Sequence, residues 1–165
     1  MRQSIRDRES WRLIEYPVPG KPVSIVHLEM VREDRKLYGM GPMKNPEKAA
    51  VFAWPVFEKA DREMVAVVSL DARMEPVSLE IAAVGGIDSC TVDVRSIFKH
   101  VILSNGSSVI CFHNHPSGNT APSREDRDMT RRLEKCGEIL GIPLADHIIL
   151  GANGRYYSFR EAGLL

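Results

Sequence analysis

His113 and His115, two histidines separated by one residue, are the side chains best placed to do chemistry in this chain. The apolar run 109–112 just before them predicts a strand, and alternate side chains of a strand point to the same face. The two imidazoles then lie on one face, about 6.6 Å apart along the backbone. With metal–nitrogen bonds of about 2.0–2.1 Å, both can bind a single zinc ion.

A zinc site needs a third protein ligand, and the next element offers one. The stretch 123–140 predicts a helix whose apolar stripe faces the sheet. The members of that stripe are Met129, Leu133, Cys136 and Leu140. Asp126 lies on the same side in the first turn, where the helix dipole favours a negative charge. Burying this carboxylate is costly unless a cation meets it, and a zinc ion held by the two histidines would be that cation.

Each part of this pattern also has a structural interpretation. Two histidines at positions i and i+2 of a strand end are, taken alone, more often incidental than metal-binding. Ser123-x-x-Asp126 alone is a capping box, which starts a helix and implies no function. Cys111 shares the predicted face of His113 and is a conceivable soft ligand, although a small buried hydrophobic residue is the commoner role for such a cysteine.

The combination of the parts matches a known pattern. H-x-H is followed by the seven residues 116–122 and then by S-x-x-D, which resembles the motif of the JAMM/MPN (JAB) metalloproteases. The surrounding sequence is more specific and closely resembles the RadC family. The stretches that carry this resemblance are ILSN (102–105), HNHPSGNTAPSREDRD (113–128), LGIPLADHIILG (140–151) and GRYYSFREAGLL (154–165).

The resemblance covers roughly residues 44–165 and implies both a fold and a set of roles. The implied fold is α/β (α+β), a mixed sheet flanked by helices with JAMM/MPN-like, cytidine-deaminase-like layering. His113, His115 and Asp126 would bind Zn²⁺ and leave the fourth position to water. Ser123 would hydrogen-bond the oxyanion or hold that water.

The resemblance also implies an upstream glutamate that acts as general base at the start of the first core strand. Glu63, which precedes the apolar run 64–70, is the residue that matches, and a hydrolytic water needs such a base. Taken alone, Glu63 is an exposed residue of a charged turn, and Glu80 is the reserve candidate. His147 also matches the RadC pattern, either as a partner of the site or as a satisfied structural histidine.

Local patterns predict the elements that position these residues. Asn45, Pro46 and Glu47 form a helix start, and this helix is expected to run to about Lys59 with a kink at Pro55. The other predicted elements are strands at 64–70, 77–83 and 109–112, helices at 92–103 and 123–140, and a hairpin of 146–150 and 155–159 around an Asn-Gly turn.

Residues 1–43 are expected to form a separate arm, a β-ribbon with a strand at 23–31, and residues 44–165 to form the RadC-type JAMM/MPN domain. The resemblance implies that full-length RadC proteins join a helix-hairpin-helix unit to such a domain. Residues 1–43 show no such hairpin. The chain of 165 residues has 22 Lys+Arg and 22 Asp+Glu. This balance disfavours direct nucleic-acid binding without excluding it.

The chain shows no secretory signal, no long apolar run and no C-x-x-C pair, which predicts a cytoplasmic protein without a membrane span. The leading functional hypothesis is a zinc-dependent hydrolase acting on a peptide or isopeptide substrate. The alternative is a DNA-repair or mobile-element accessory protein, whose metal domain is a nuclease or an interaction module. The identity of the substrate and the oligomeric state do not follow from the sequence.

Overall fold

The computed structural model describes residues 41–85 and 92–165, together with Ser24, His27, Glu29 and Val31. The predicted arm 1–43 and its strand at 23–31 lie almost entirely outside these residues, so both stay predictions. Across the described part of the chain, no helix combines the length and the apolar character that crossing a bilayer requires.

Three α-helices form in the described ranges, each behind a capping residue. They are α1 (Pro46–Phe57), α2 (Val94–Leu103) and α3 (Arg124–Leu140). The side chain of Asn45 accepts a hydrogen bond from the backbone N–H of Glu47, 2.7 Å away, and starts α1 as predicted. Pro55 lies inside α1, whose last residue is Phe57 rather than the predicted Lys59.

The described strands form one mixed sheet. They are β1 (Met64–Leu70), β2 (Pro76–Val84), β3 (Ser108–Asn114), β4 (Leu144–Leu150) and β5 (Tyr156–Ser158). Their spatial order is β2-β1-β3-β4-β5. β3 and β4 are parallel, and the other neighbouring pairs are antiparallel. α3 supplies the crossover that a parallel pair requires.

The sheet is covered by helices on both sides. α1 packs against one face in a hydrophobic cluster that includes Ala66 and Phe112. α2 and α3 cover the other face, in a cluster that includes Val65 and Cys111. The predicted mixed sheet flanked by helices is confirmed, and its layering is consistent with a JAMM/MPN-like domain.

The apolar stripe predicted for α3 is wrong at its C-terminal end. Leu133 is fully buried, but Leu140 is 48% exposed. The chain turns at Gly141, whose φ is +69°. Ile142 then packs into the core, with its N–H donating to the carbonyl of Gly137. Ile142 therefore fills the core at this end of the helix, and Leu140 is left facing solvent.

Candidate metal centre

The C-terminal end of β3 carries the two histidines predicted to bind metal. His113 points to the face covered by α2 and α3, because it alternates with Cys111 along the strand. His115 follows the strand, and the two Nε2 atoms lie 2.9 Å apart. Asp126 comes from the first turn of α3, with carboxylate oxygens 3.1 Å from His113 Nε2 and 3.5 Å from His115 Nε2. We call these three residues the triad.

The triad fits a divalent metal ion. Its ligand atoms all lie within 4.8 Å of one another, and it is the one such group of histidine, cysteine and acidic side chains found among the described residues. A four-coordinate zinc ion keeps its ligand atoms about 3.3 Å apart, close to the separations above. Two imidazoles and a carboxylate are typical of catalytic zinc sites, which leave a position open for water or substrate. Cys111, the conceivable soft ligand, is not part of the group.

The imidazole of His115 is held in the orientation that a metal site needs. Its Nδ1 lies 2.6 Å from the backbone carbonyl oxygen of Asn119. Because a carbonyl can only accept, Nδ1 carries a proton and Nε2 faces Asp126. The hydrogen bond with Asp126 raises the pKa of His115 against the effect of burial, with further contributions from Asn119 and from the charge of Glu63.

Ser123 and Asp126 form the predicted capping box at the start of α3. The Asp126 carboxylate accepts the N–H of Ser123 at 2.7 Å, and the Ser123 hydroxyl oxygen accepts the N–H of Asp126 at 3.0 Å. Capping leaves the other carboxylate oxygen of Asp126 facing His113. Burial raises the pKa of Asp126, but the nearby imidazoles of His113 and His115 and the hydrogen bond with Ser123 outweigh it and hold that pKa far below its ordinary value. The carboxylate is therefore ionised.

Glu63 lies at the same edge of the sheet as the triad. It directly precedes β1, and Val65, two residues further along the chain, is the register partner of His113. Its negative charge contributes to the raised pKa of His115. Glu63 is therefore near enough to affect His115 electrostatically, and it is not part of the group of ligand atoms.

Asn114, the residue between the two histidines, holds the segment that carries Glu63. Its amide oxygen accepts the N–H of Met64 at 2.8 Å, and its amide nitrogen donates to the carbonyl of Arg62 at 3.0 Å. These two hydrogen bonds involve the residues on either side of Glu63. Sequence reasoning missed Asn114 because the contact joins residues 50 positions apart, and only the pairing of β1 with β3 reveals it.

The sequence left the role of His147 open, either as a partner of the site or as a structural histidine. It is fully buried on β4, where it is the register partner of Cys111. Its Nε2 lies 2.8 Å from His113 Nδ1, and its Nδ1 lies 2.7 Å from Thr130 Oγ1. Burial lowers the pKa of His147 well below its ordinary value. His147 is therefore a partner of the triad and a satisfied buried histidine at once.

Glu80, the reserve candidate for the base, lies on β2 and is engaged elsewhere. Its carboxylate is 3.1 Å from Nδ1 of His100 on α2. The other ring nitrogen of His100 contacts the hydroxyl of Ser78 at 3.0 Å. Glu80 is therefore a useful control for Glu63, because it is a carboxylate of the same domain with a different partner.

Comparison with known families shows to which family this chain belongs. The family model for the RadC-like JAB domain matches residues 43–164. The chain belongs to the RadC family. The matched range contains the triad and Glu63, and it also contains Asn114 and His147, which support them.

Bacterial relatives share this RadC domain. A UPF0758 protein of Thermotoga maritima is 45% identical over 105 residues, which cover 64% of this chain and 47% of the relative. One of Desulfitobacterium hafniense is 41% identical over 123 residues, covering 74% and 54%. One of Symbiobacterium thermophilum is 35% identical over 164 residues, covering 98% and 69%. The chain spans about half the length of the first two, and the names of these relatives state no activity.

Proposed function

We propose that this RadC domain is a zinc-dependent hydrolase that cleaves a peptide or isopeptide bond. The observation that supports the proposal most strongly is the triad, whose two Nε2 atoms and carboxylate oxygens lie 2.9 to 3.5 Å apart. His113, His115 and Asp126 would hold the Zn²⁺ ion. When bound there, the ion would polarise a substrate carbonyl and lower the pKa of a water molecule.

Glu63 would act as the general base. A carboxylate near the triad can take a proton from the attacking water and later give it to the leaving amine. In this hydrolysis the water oxygen bonds to the carbonyl carbon, the C–N bond breaks, and the amine leaves with the proton that Glu63 carried. The position of Glu63 beside β3 and its electrostatic effect on His115 support this role.

Ser123 would stabilise the oxyanion. Its Oγ accepts the N–H of Asp126, so capping uses a lone pair and leaves the hydroxyl hydrogen available to an oxygen near the triad. Removing one donor of this kind typically costs about 10²–10³-fold in turnover. Capping and oxyanion stabilisation are therefore compatible in the same side chain.

A cleft beside His115 would accommodate the substrate. It lies where the end of α1 meets the loops that follow β3 and β4, and its walls include Trp54, Phe57, Pro116 and Gly151. Polar groups, among them Asn114 and His115, share its lining with the apolar side chains, and the walls would contact the residues that flank the scissile bond. A cytoplasmic location is part of the proposal and rests on the sequence pattern.

Metal analysis and turnover measurements on the full chain test the proposal. The wild-type protein is expected to bind one zinc ion and to cleave members of a panel of fluorogenic peptides and isopeptide-linked conjugates. Glu63→Gln keeps the shape of the side chain but cannot take the proton, so it should bind zinc normally and lose nearly all turnover. Glu80→Gln is the matched control and should keep full turnover, because Glu80 pairs with His100.

Full turnover in Glu63→Gln contradicts the proposed base, and failure of the zinc-loaded protein to cleave any panel member contradicts the proposed hydrolysis. The accessory-protein alternative predicts a different result. Under that alternative, the chain binds duplex DNA at low salt with an affinity that falls as salt rises. No measurable DNA affinity at low salt excludes direct DNA binding.

A further inference from the structure

A series of hydrogen bonds connects His113 of the triad to the backbone of α3. It runs from the Asp126 carbonyl oxygen to Thr130 Oγ1, then to His147 Nδ1, and from His147 Nε2 to His113 Nδ1. The three contacts are 2.7, 2.7 and 2.8 Å long. Thr130, His147 and His113 are at most 4% exposed, so these buried groups must satisfy one another.

The first contact, together with a neutral His147 ring, fixes the direction of every hydrogen bond in the series. The Asp126 carbonyl oxygen carries no hydrogen, so its contact with Oγ1 requires the hydroxyl hydrogen of Thr130. Thr130 Oγ1 must then accept from His147, which places a proton on His147 Nδ1. A neutral imidazole carries one proton, so His147 Nε2 is the acceptor and His113 Nδ1 is the donor.

The surroundings of His147 favour a neutral ring. The ring is fully buried and stacks on Phe159, with centroids 4.8 Å apart and planes 8° apart. Its ring nitrogens contact Thr130 and His113 rather than a carboxylate. The carboxylate of neighbouring Asp146 accepts from the backbone N–H groups of His147 and Arg160 and from the Ser158 hydroxyl, not from the ring. A buried cation without an acidic partner is unfavourable.

We propose that Thr130 and His147 are positioning residues that fix the tautomer of His113. With its proton held on Nδ1, His113 presents the Nε2 lone pair to the Asp126 carboxylate 3.1 Å away. Two acceptors at this distance repel each other unless a cation lies between them. The series therefore prepares His113 for a metal ion. Asp126 takes part twice, because its backbone carbonyl accepts from Thr130 and its carboxylate faces His113 Nε2.

Removal of the Thr130 hydroxyl should reverse the series. In Thr130→Val a proton on His147 Nδ1 would be buried without an acceptor, and buried N–H groups without partners are rare. His147 should then carry its proton on Nε2 and donate to His113 Nδ1. His113 in turn should carry its proton on Nε2, where it donates to Asp126. Zinc must displace that proton, so zinc affinity should fall about 10–100-fold.

Long-range ¹H–¹⁵N NMR of the ring nitrogens tests this inference on the metal-free full chain, at about pH 8.5, where an ordinary imidazole is neutral. The wild type should show His113 protonated on Nδ1, and Thr130→Val should show it protonated on Nε2. His147→Phe keeps the stack on Phe159 but offers no hydrogen bonds, so it should lose the tautomer preference. His147→Gln, whose amide can both accept and donate, should partly restore the preference and the zinc affinity.

His100→Phe is the matched control, because His100 contacts Ser78 and Glu80 rather than the triad. This control should leave the His113 tautomer and the zinc affinity unchanged. The inference is overturned if wild-type His113 is protonated on Nε2, or if a folded Thr130→Val keeps the wild-type tautomer and zinc affinity.

The consequence for metal binding rests on the proposed function, whereas the tautomer is a property of the chain alone. The expected tautomer in a protein without turnover would contradict the proposed hydrolysis and leave this inference standing. The opposite tautomer in an active enzyme would overturn this inference and leave the proposed hydrolysis standing.

Discussion

Asn114→Ala should damage the proposed hydrolysis without removing a ligand of the triad. Asn114 is 6% exposed, and its amide makes two hydrogen bonds to the backbone, with the N–H of Met64 at 2.8 Å and the carbonyl of Arg62 at 3.0 Å. Alanine removes both. The segment that places Glu63 beside the triad then loses the contacts that hold it to β3.

The expected loss of stability follows from these two hydrogen bonds. A neutral hydrogen bond contributes about 0.5–1.5 kcal/mol net, so the free energy of unfolding should fall by about 1–3 kcal/mol. For a chain of 165 residues, each kcal/mol lowers Tm by about 2–4 °C, so Tm should fall by about 2–12 °C. Displacing a catalytic group by about 1 Å costs on the order of 10²-fold in turnover, and kcat should fall by that factor.

A double-mutant cycle with Glu63→Gln separates this mechanism from general destabilisation. If Asn114 acts through Glu63, Asn114→Ala should lower kcat in the wild-type background and leave the residual turnover of Glu63→Gln unchanged. Zinc content should stay at one ion per chain in all four proteins. Asn45→Ala is the matched control, because the Asn45 side chain also makes two hydrogen bonds to the backbone, both accepted from N–H groups, but lies at the start of α1.

The Asn45→Ala control should lose stability and keep its kcat. Two results would refute the reasoning about Asn114. The first is a fall in kcat of the same size in both backgrounds of the cycle, since Asn114 would then act independently of Glu63. The second is loss of zinc from Asn114→Ala, since the substitution would then disturb the triad itself.

Three further predictions concern the triad, the cap and α3. The double variant His113→Ala/His115→Ala should bind no zinc yet keep the wild-type circular dichroism spectrum, because the hydrophobic clusters on both faces of the sheet contain neither residue; zinc retained by this variant contradicts the assignment. Ser123→Ala should lose about 0.5–2 kcal/mol of stability and about 10²-fold or more in turnover, whereas Ser123→Asn should keep the cap and part of the rate; equal turnover in both variants and the wild type would leave Ser123 with capping alone. Gly137→Ala should lower Tm although alanine is the better helix former by about 1 kcal/mol, because a Cβ there would lie 2.5 Å from the Ile142 carbonyl oxygen; a raised Tm contradicts this.

The triad could be predicted because each of its parts is local in sequence. The placement of His113 and His115 on one side needs only the alternation of a single strand. The placement of Asp126 needs only the first turn of a single helix, which the capping box marks. The family pattern then joins the strand to the helix, and the bounds 64–70 predicted for β1 are those observed.

The residues that support the triad could not be predicted, because their contacts depend on how strands pair. Asn114 reaches Met64 across 50 positions, and His113 reaches His147 across 34. No local pattern states that β3 pairs antiparallel with β1 and parallel with β4, or at which offset. Since an offset of one residue turns a side chain to the opposite face, knowing the strands without their register is not enough.

The register of β3 is in turn specified by polar contacts at the candidate site. Both faces of β3 are buried and apolar, with Phe112 in the cluster under α1 and Cys111 in the cluster under α2 and α3. Hydrophobic alternation therefore does not decide which face is which. The polar residues at the C-terminal end of β3 decide which face is which. The Asn114 amide hydrogen-bonds the backbone of β1, and the His113 ring hydrogen-bonds His147 under α3. A slip of one residue would exchange the amide and the imidazole and leave both without these partners, so the side chains that form the site also fix the strand pairing on which the site depends.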